Sequence, residues 1–255
     1  MITTDWHEEL RALTKAGAHY GHPTSRWNPK MHPYIFRQKK GIHVIDLVQT
    51  VRLLSEACKF LTISASKGKQ FLWVGTKKQA SKAIMEHAKY SKCHFVNKKW
   101  LGGMLTNWPT VRRRIWKLRG LEAQERNGYM ELLPKKEASV KRKQLARLRK
   151  YLGGMRHMTR LPDVVVLIGQ REETIALQEC AKLGIPTVCI VDTDCNPDMA
   201  YIPIPANDDS TASIGLILER LAGAIRRGYF LRNGKRSRPR ARIKSTKDQL
   251  AEVNI

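Results

Sequence analysis

PDVVVLIGQREETIALQECAKLGIPTVCIVDT, residues 162–193, decides the fold. DVVVLIG is apolar from Val164 to Ile168 without a break. A strand with no polar alternation has both faces covered, which is the pattern of a parallel sheet between helical layers. ETIALQECAKLG reads as a helix closed by Gly184, and PTVCIVDT reads as the next strand. The same rhythm extends outward. IHVIDL at 42–47 reads as a strand, followed by a helix with Val51, Leu54, Cys58, Leu61 and Ala65 on one face. FLWVGT at 71–76 reads as a strand, KKQASKAIMEHAKY as a helix and CHFVN as a strand. After residue 193 come a short YIPI strand and a last helix, TASIGLILERLAGAI, capped by Asp209 or Ser210. The expected fold is α/β: an open parallel sheet with helices on both faces, Rossmann-like or flavodoxin-like. A first helix is expected from Asp5, with Glu8 as its capping partner. The segment from Gly21 to Gly41, broken by Pro23, Pro29 and Pro33, is expected to be irregular.

The alternation stops between Trp108 and Leu152. Val111, Ile115 and Leu118 share one helical face, and Leu145, Leu148 and Leu152 share another. The turn residues Asn127, Gly128 and Pro134 lie between them. This predicts an inserted antiparallel helical hairpin at 108–152, in a body made of 1–107 and 153–227. Residues 228–255 read as a basic tail, disordered until bound.

Charge follows these divisions. The chain has 255 residues and a net charge of +25. Arg112 to Arg160 holds 16 basic and 4 acidic residues, and Arg226 to Lys247 holds 10 basic residues and no acidic one. Everything else is close to neutral. Concentrated positive charge of this kind neutralises phosphates and releases their counterions, so the expected partner is nucleic acid. The candidate RNA-binding residues on the hairpin are Arg112, Arg113, Arg114, Lys117, Arg119, Lys141, Arg142, Lys143, Arg147 and Lys150. In the tail region they are Arg226, Arg227, Arg236, Arg238 and Arg240. Arg26 and Lys30 join them, from a loop whose Trp27, Tyr34 and Phe36 either stack on unpaired bases or pack onto the body.

Other classes are disfavoured. No apolar run reaches membrane-spanning length, so no membrane partner is expected. The N-terminal MITTDWHEELRAL has neither the apolar core of a signal peptide nor the acid-poor character of a transit peptide, which places the protein in the compartment where it is made. The cysteines are odd in number, at 58, 93, 180, 189 and 195, with no C-x-x-C pair, so reduced thiols are expected. There is no G-x-G-x-x-G after the first strand, no phosphate loop and no G-x-S-x-G, which argues against an enzyme with a small-molecule substrate. One acidic cluster stands out. Asp192, Asp194, Asp198, Asp208 and Asp209 follow two strands at the sheet's carboxyl end, with His19 and His22 nearby in the expected fold. Helix capping and turn chemistry account for such residues. The competing readings are a structural magnesium ion held by Asp192, Asp198 and Asp208, and a metal-dependent RNA nuclease.

KAGAHYGHPTSRWNPKMHPYIF near the start, VNKKWLGGMLTNWPTVR at 96–112, YLGGMRHMTRLPDVVVLIG, and GIPTVCIVDTDCNPDMAYIPIPANDDS carry a family resemblance. Together they resemble the second protein of the small ribosomal subunit, in its bacterial and plastid branch, from about Trp6 to Arg227. CHFVNKKWLGGMLTNW and PIPANDDS look plastid-like. The resemblance implies an α/β body with an inserted hairpin and a non-enzymatic, structural role. It also implies a place at the head–body junction, in contact with small-subunit ribosomal RNA and neighbouring ribosomal proteins. In bacteria the family helps recruit the large mRNA-binding first protein. The resemblance further implies location in the plastid stroma, with a bacterial cytoplasm as the alternative. Lys98, Lys99, Trp100, Gly102, Gly103, Asn107 and Trp108 match the family signature, and Lys98, Lys99 and Asn107 are added to the RNA-binding candidates. Gly102 and Gly103 are expected to allow a tight turn, and Trp100 and Trp108 to anchor the hairpin. Gly169 and Tyr201 stand where the family often has Asp, which weakens a metal site. A free RNA-binding module remains a further alternative.

Overall fold

The computed structural model describes residues 6–237, with side chains as far as 234. The expected cap at Asp5 lies outside the described residues. Five parallel strands form the main sheet: β4 (Phe71–Val74), β5 (His94–Val96), β6 (Val164–Ile168), β7 (Thr187–Val191) and β8 (Ile202–Pro205). Their order is β5-β4-β6-β7-β8. Register pairs include Trp73 with Val166, Leu167 with Cys189 and Ile190 with Ile204.

Why these strands are apolar throughout is visible in their alternation. Phe71, Trp73, Val164, Val166 and Ile168 point into one core. Leu72, Val74, Val165 and Leu167 point into a second core on the other face. Side chains alternate across a strand, so two cores need two apolar sets in every strand. The first core is closed by α1 (Trp6–Lys15), α2 (Leu47–Ser66), α3 (Lys78–Tyr90) and α7 (Thr211–Ser237). The second is closed by α6 (Thr174–Lys182) and by the base of the hairpin formed by α4 (Trp108–Arg126) and α5 (Lys135–Leu152). The α/β fold with an inserted hairpin is the one expected.

Two features differ from expectation. IHVIDL does not join the parallel sheet. It forms β3 (Ile42–Ile45), which pairs antiparallel with β1 (Tyr20–Pro23) and β2 (Ile35–Lys39) in a separate sheet of order β1-β3-β2. The segment expected to be irregular therefore supplies two strands. Lys40 and Gly41, both with positive φ (51° and 77°), form the two-residue turn between β2 and β3. Positive φ at both central positions gives a turn whose twist matches that of the flanking strands. Second, α7 runs past Arg227 to Ser237, so the break expected at 227 falls inside a helix. Tyr229 explains the continuation: its ring packs edge-on against Phe71, 6.2 Å between centroids, at the rim of the first core. The tail beyond Ser237 lies outside the described residues. Of the two residues expected to cap α7, Ser210 does so, its Oγ accepting from the Ser213 N–H at 3.3 Å.

Candidate nucleic-acid interface

The hairpin is built by a thin apolar seam. Val111, Ile115, Leu118 and Leu121 of α4 are buried, as are Ala138, Leu145 and Leu152 of α5. Arg149 of α5 pairs with Glu122 (3.2 Å) and with Glu125 of α4, fixing the two helices antiparallel. What remains is cationic. Arg112, Arg113, Arg114 and Lys117 on α4, and Arg142, Lys143, Arg147 and Lys150 on α5, are exposed. None of the eight has a carboxylate partner among the described residues. Arg112 lies over the exposed ring of Trp116, with its guanidinium 5.0 Å from the ring centroid. Sequence reasoning passed over Trp116, although the RRRIWK run places it one helical turn after Arg112. Lys141 sits over the Tyr129 ring. Arg119 is a brace: its Nε donates to the Arg156 carbonyl at 2.6 Å, linking α4 to the chain after α5.

The hairpin base is organised by a residue that sequence reasoning missed. Glu179 on α6 is buried, and its carboxylate accepts five hydrogen bonds. They come from Trp100 Nε1 (3.0 Å), the Gly103 N–H (2.8 Å), the Leu105 N–H (2.9 Å), and the N–H and hydroxyl of Thr106 (3.0 and 3.1 Å). Burial alone opposes its charge, but these donors outweigh burial and hold its pKa below the usual carboxylate range. The signature loop WLGGMLTNW is thus wrapped around one buried anion. Within it only Gly103 has positive φ (83°), while Trp100 and Trp108 are buried as expected. Asn107 lies just before α4, exposed and with its side chain making no cap.

The remaining candidates are dispersed. Lys98, Lys99 and Arg26 are exposed. Lys30 is paired with Asp198 at 2.6 Å, so its charge is locally offset. Arg226 stacks on Tyr90 at 4.2 Å, and Arg227 borders a cavity shared with Glu9, Glu86 and Glu219. Both lie on α7, in the layer opposite the hairpin. Arg236 falls in α7 by its backbone, and Arg238 and Arg240 lie outside the described residues. Trp27 packs against His43 and Tyr34 against the second core; of the three loop aromatics only Phe36 is exposed.

The acidic cluster forms without Asp198. His22 Nδ1 is 3.1 Å from Asp192, and its Nε2 is 3.4 Å from Asp209 and 3.8 Å from Asp194. Lys77 Nζ lies 2.6 Å from Asp208 and 2.7 Å from Asp209, and Arg171 lies 2.7 Å from Asp194. The magnesium set of Asp192, Asp198 and Asp208 is therefore not assembled. The donor atoms that do converge belong to His22, Asp192 and Asp194. The hydrogen bond with Asp192 raises the His22 pKa to about 9, against the opposing effect of burial. A protonated imidazole donates to carboxylates, so with Lys77 and Arg171 it ties the cluster together through internal ion pairs. Its pH dependence follows in sign. His22 binds its proton more tightly folded than unfolded, so its contribution is full below 6.5 and lost as pH rises through about 9. Thermal melting of the parent chain should show this decline from pH 6.5 to 9, and His22→Gln should flatten it. An unchanged profile in the variant would contradict the pairing.

A parallel α/β body that bears a two-helix cationic arm, with the acidic cluster at the carboxyl end of its sheet held in internal ion pairs, has the make-up of a scaffold protein. The comparisons place it further. The family model described as ribosomal protein S2 matches residues 13–228, and the chain belongs to that family. Members of the family are structural proteins and not enzymes. Similar proteins include the "Small ribosomal subunit protein uS2c" of Porphyra purpurea, 53% identical over 221 residues, or 87% of this chain and 92% of that one. That of Gracilaria tenuistipitata var. liui is 53% identical over 86% of this chain and 95% of its own length. That of Mesostigma viride is 55% identical over 86% and 96%. No described helix is long and apolar enough to cross a membrane.

Proposed function

We propose that the chain is a structural constituent of the small ribosomal subunit of a plastid, binding small-subunit ribosomal RNA through its hairpin and packing against neighbouring ribosomal proteins. The observation that carries the RNA contact is the outer face of the hairpin. Arg112, Arg113, Arg114 and Lys117 stand exposed with no carboxylate partner among the described residues, as do Arg142, Lys143, Arg147 and Lys150 on the return helix. Guanidinium groups grip phosphates through paired hydrogen bonds, and the Arg112–Trp116 stack offers a flat face to a base. Lys98, Lys99 and Asn107 extend the surface to the hairpin base. Arg26, Arg226 and Arg227, and Arg236, Arg238 and Arg240 towards the C-terminus, belong to the proposal as contacts away from the arm. Lys30 and Arg119 serve internal bonds first. The head–body junction and the recruitment of the first subunit protein are part of the same reading, on family grounds. The nuclease reading has lost its basis, because the carboxylates it needs are held by His22, Lys77 and Arg171.

Replacing Arg112, Arg113 and Arg114 with Ala tests the arm. The slope of log affinity against log salt for small-subunit ribosomal RNA should fall by roughly 2 to 3, at about 0.7–0.9 per lost phosphate contact. An unchanged slope would mean that these arginines only solvate the arm.

A further inference from the structure

The body is close to neutral in sum, yet its charge is not evenly spread. A cleft of about 760 Å³ opens at the β5 edge of the sheet, between α3, β5 and the turn that follows α5. Lys78, Lys82, Lys89, Lys92, Lys98 and Lys150 line it, and no carboxylate does. Lys78, Lys89, Lys92 and Lys98 are exposed and have no acidic partner among the described residues. Lys82 has only a 4.0 Å pair with Glu86. Along α3, positions 78, 82 and 89 fall on one side of the helix. The 11 steps from 78 to 89 rise about 16 Å, so the stripe spans several phosphates of a nucleic-acid strand.

Lys92 supplies a second, independent observation. It follows the end of α3 with φ at 54°, in the left-handed region. Glycine ordinarily takes this place after a helix, because a Cβ is strained there. A lysine at the end of a helix does complement the helix dipole, but Lys89 in the last turn already does so. Lys92 is exposed in this conformation and lines the cleft.

We propose that this cleft is a second RNA-backbone site, in which Lys78, Lys89, Lys92 and Lys98 take phosphates, so that one RNA is held by the arm and by the body together. The proposal rests on the RNA-binding reading of the chain. It adds to that reading a fixed site on the body, and two anchors on separate elements set the orientation of the arm against the RNA.

Three variants of the full chain, bound to small-subunit ribosomal RNA transcribed in vitro, separate the possibilities. The cleft variant is Lys78→Gln/Lys89→Gln/Lys92→Gln, and the arm variant is Arg112→Ala/Arg113→Ala/Arg114→Ala. The third is Lys92→Gly, which removes the charge and the strain together, so loss of binding by it cannot be put down to a damaged backbone. The cleft variant should lower the salt slope by about 2, and Lys92→Gly should weaken binding without lowering the melting temperature. If the cleft variant keeps the parent slope while the arm variant loses it, the cleft proposal fails and the RNA reading stands. If both keep it, both fail. Lysine acylation adds a check on the partner. Lys78, Lys89 and Lys92 should be protected by the naked RNA; protection found only in assembled subunits would assign the cleft to an acidic protein and overturn the proposal.

Discussion

Replacing Glu179 with Ala should destabilise the chain by roughly 4 to 5 kcal/mol, the upper range for a single substitution. Five hydrogen bonds converge on this carboxylate, and Trp100 and Leu105, which supply two of them, are themselves buried. Removing the acceptor leaves those donors without a partner and without water, at about 1–3 kcal/mol for each group that cannot relax. For a chain of this size, 4 kcal/mol corresponds to a fall of about 8–16 °C in melting temperature. Tryptophan fluorescence should shift to the red as Trp100 loses its seat. Glu179→Gln keeps one acceptor oxygen and should fall between the parent and the alanine variant. The sign in acid is set by the depressed pKa: the carboxylate contributes above its unfolded value, and that contribution is lost as pH falls through the folded one. The alanine variant should therefore lose less stability than the parent on acidification. A melting temperature within about 2 °C of the parent would show that the loop holds itself without the anion.

Gly154→Ala should cost about 3 kcal/mol through backbone contact alone. A Cβ built at Gly154 would lie 2.1 Å from the Phe95 carbonyl oxygen, and 2.8 and 2.9 Å from ring atoms of Phe95. The phenyl ring can turn away, but the carbonyl belongs to β5 and cannot move without disturbing the edge of the sheet. Overpacking of this kind usually costs 1–3 kcal/mol, and more when backbone must give. Gly153, its neighbour, meets nothing within 4 Å and is the internal control. Denaturant midpoints should fall sharply for Gly154→Ala and much less for Gly153→Ala. Equal effects would mean that helix-end conformation, and not the close approach to β5, explains the glycine pair.

The parallel sheet was legible because its strands are apolar at consecutive positions. Val164 to Ile168 and Thr187 to Val191 carry one core on even positions and another on odd ones. The hairpin helices were legible from steps of three and four in Val111, Ile115 and Leu118. The small antiparallel sheet was not, because β1 and β2 hold few apolar residues and Pro23, Pro29 and Pro33 sit around them. The two-residue turn at Lys40 and Gly41 was the signal available. The continuation of α7 was hidden by its charge, although Ile225, Gly228 and Tyr229 keep the helical step. Glu179 was out of reach for a different reason. Its partners lie 73 to 79 residues away, and nothing local distinguishes a glutamate that will be buried from one that will face water. The cationic cleft likewise joins α3, the loop after β5 and the end of α5, segments that only the fold brings together.

The central claim, that this is a structural component of the small ribosomal subunit, has a direct test. A plastid lysate expressing the tagged chain is sedimented through a sucrose gradient at low and at high salt. The account predicts that the chain travels with the small-subunit peak at low salt and is released to the top of the gradient as salt rises. A chain that stays in the soluble fraction at low salt, beside intact small subunits, would contradict it.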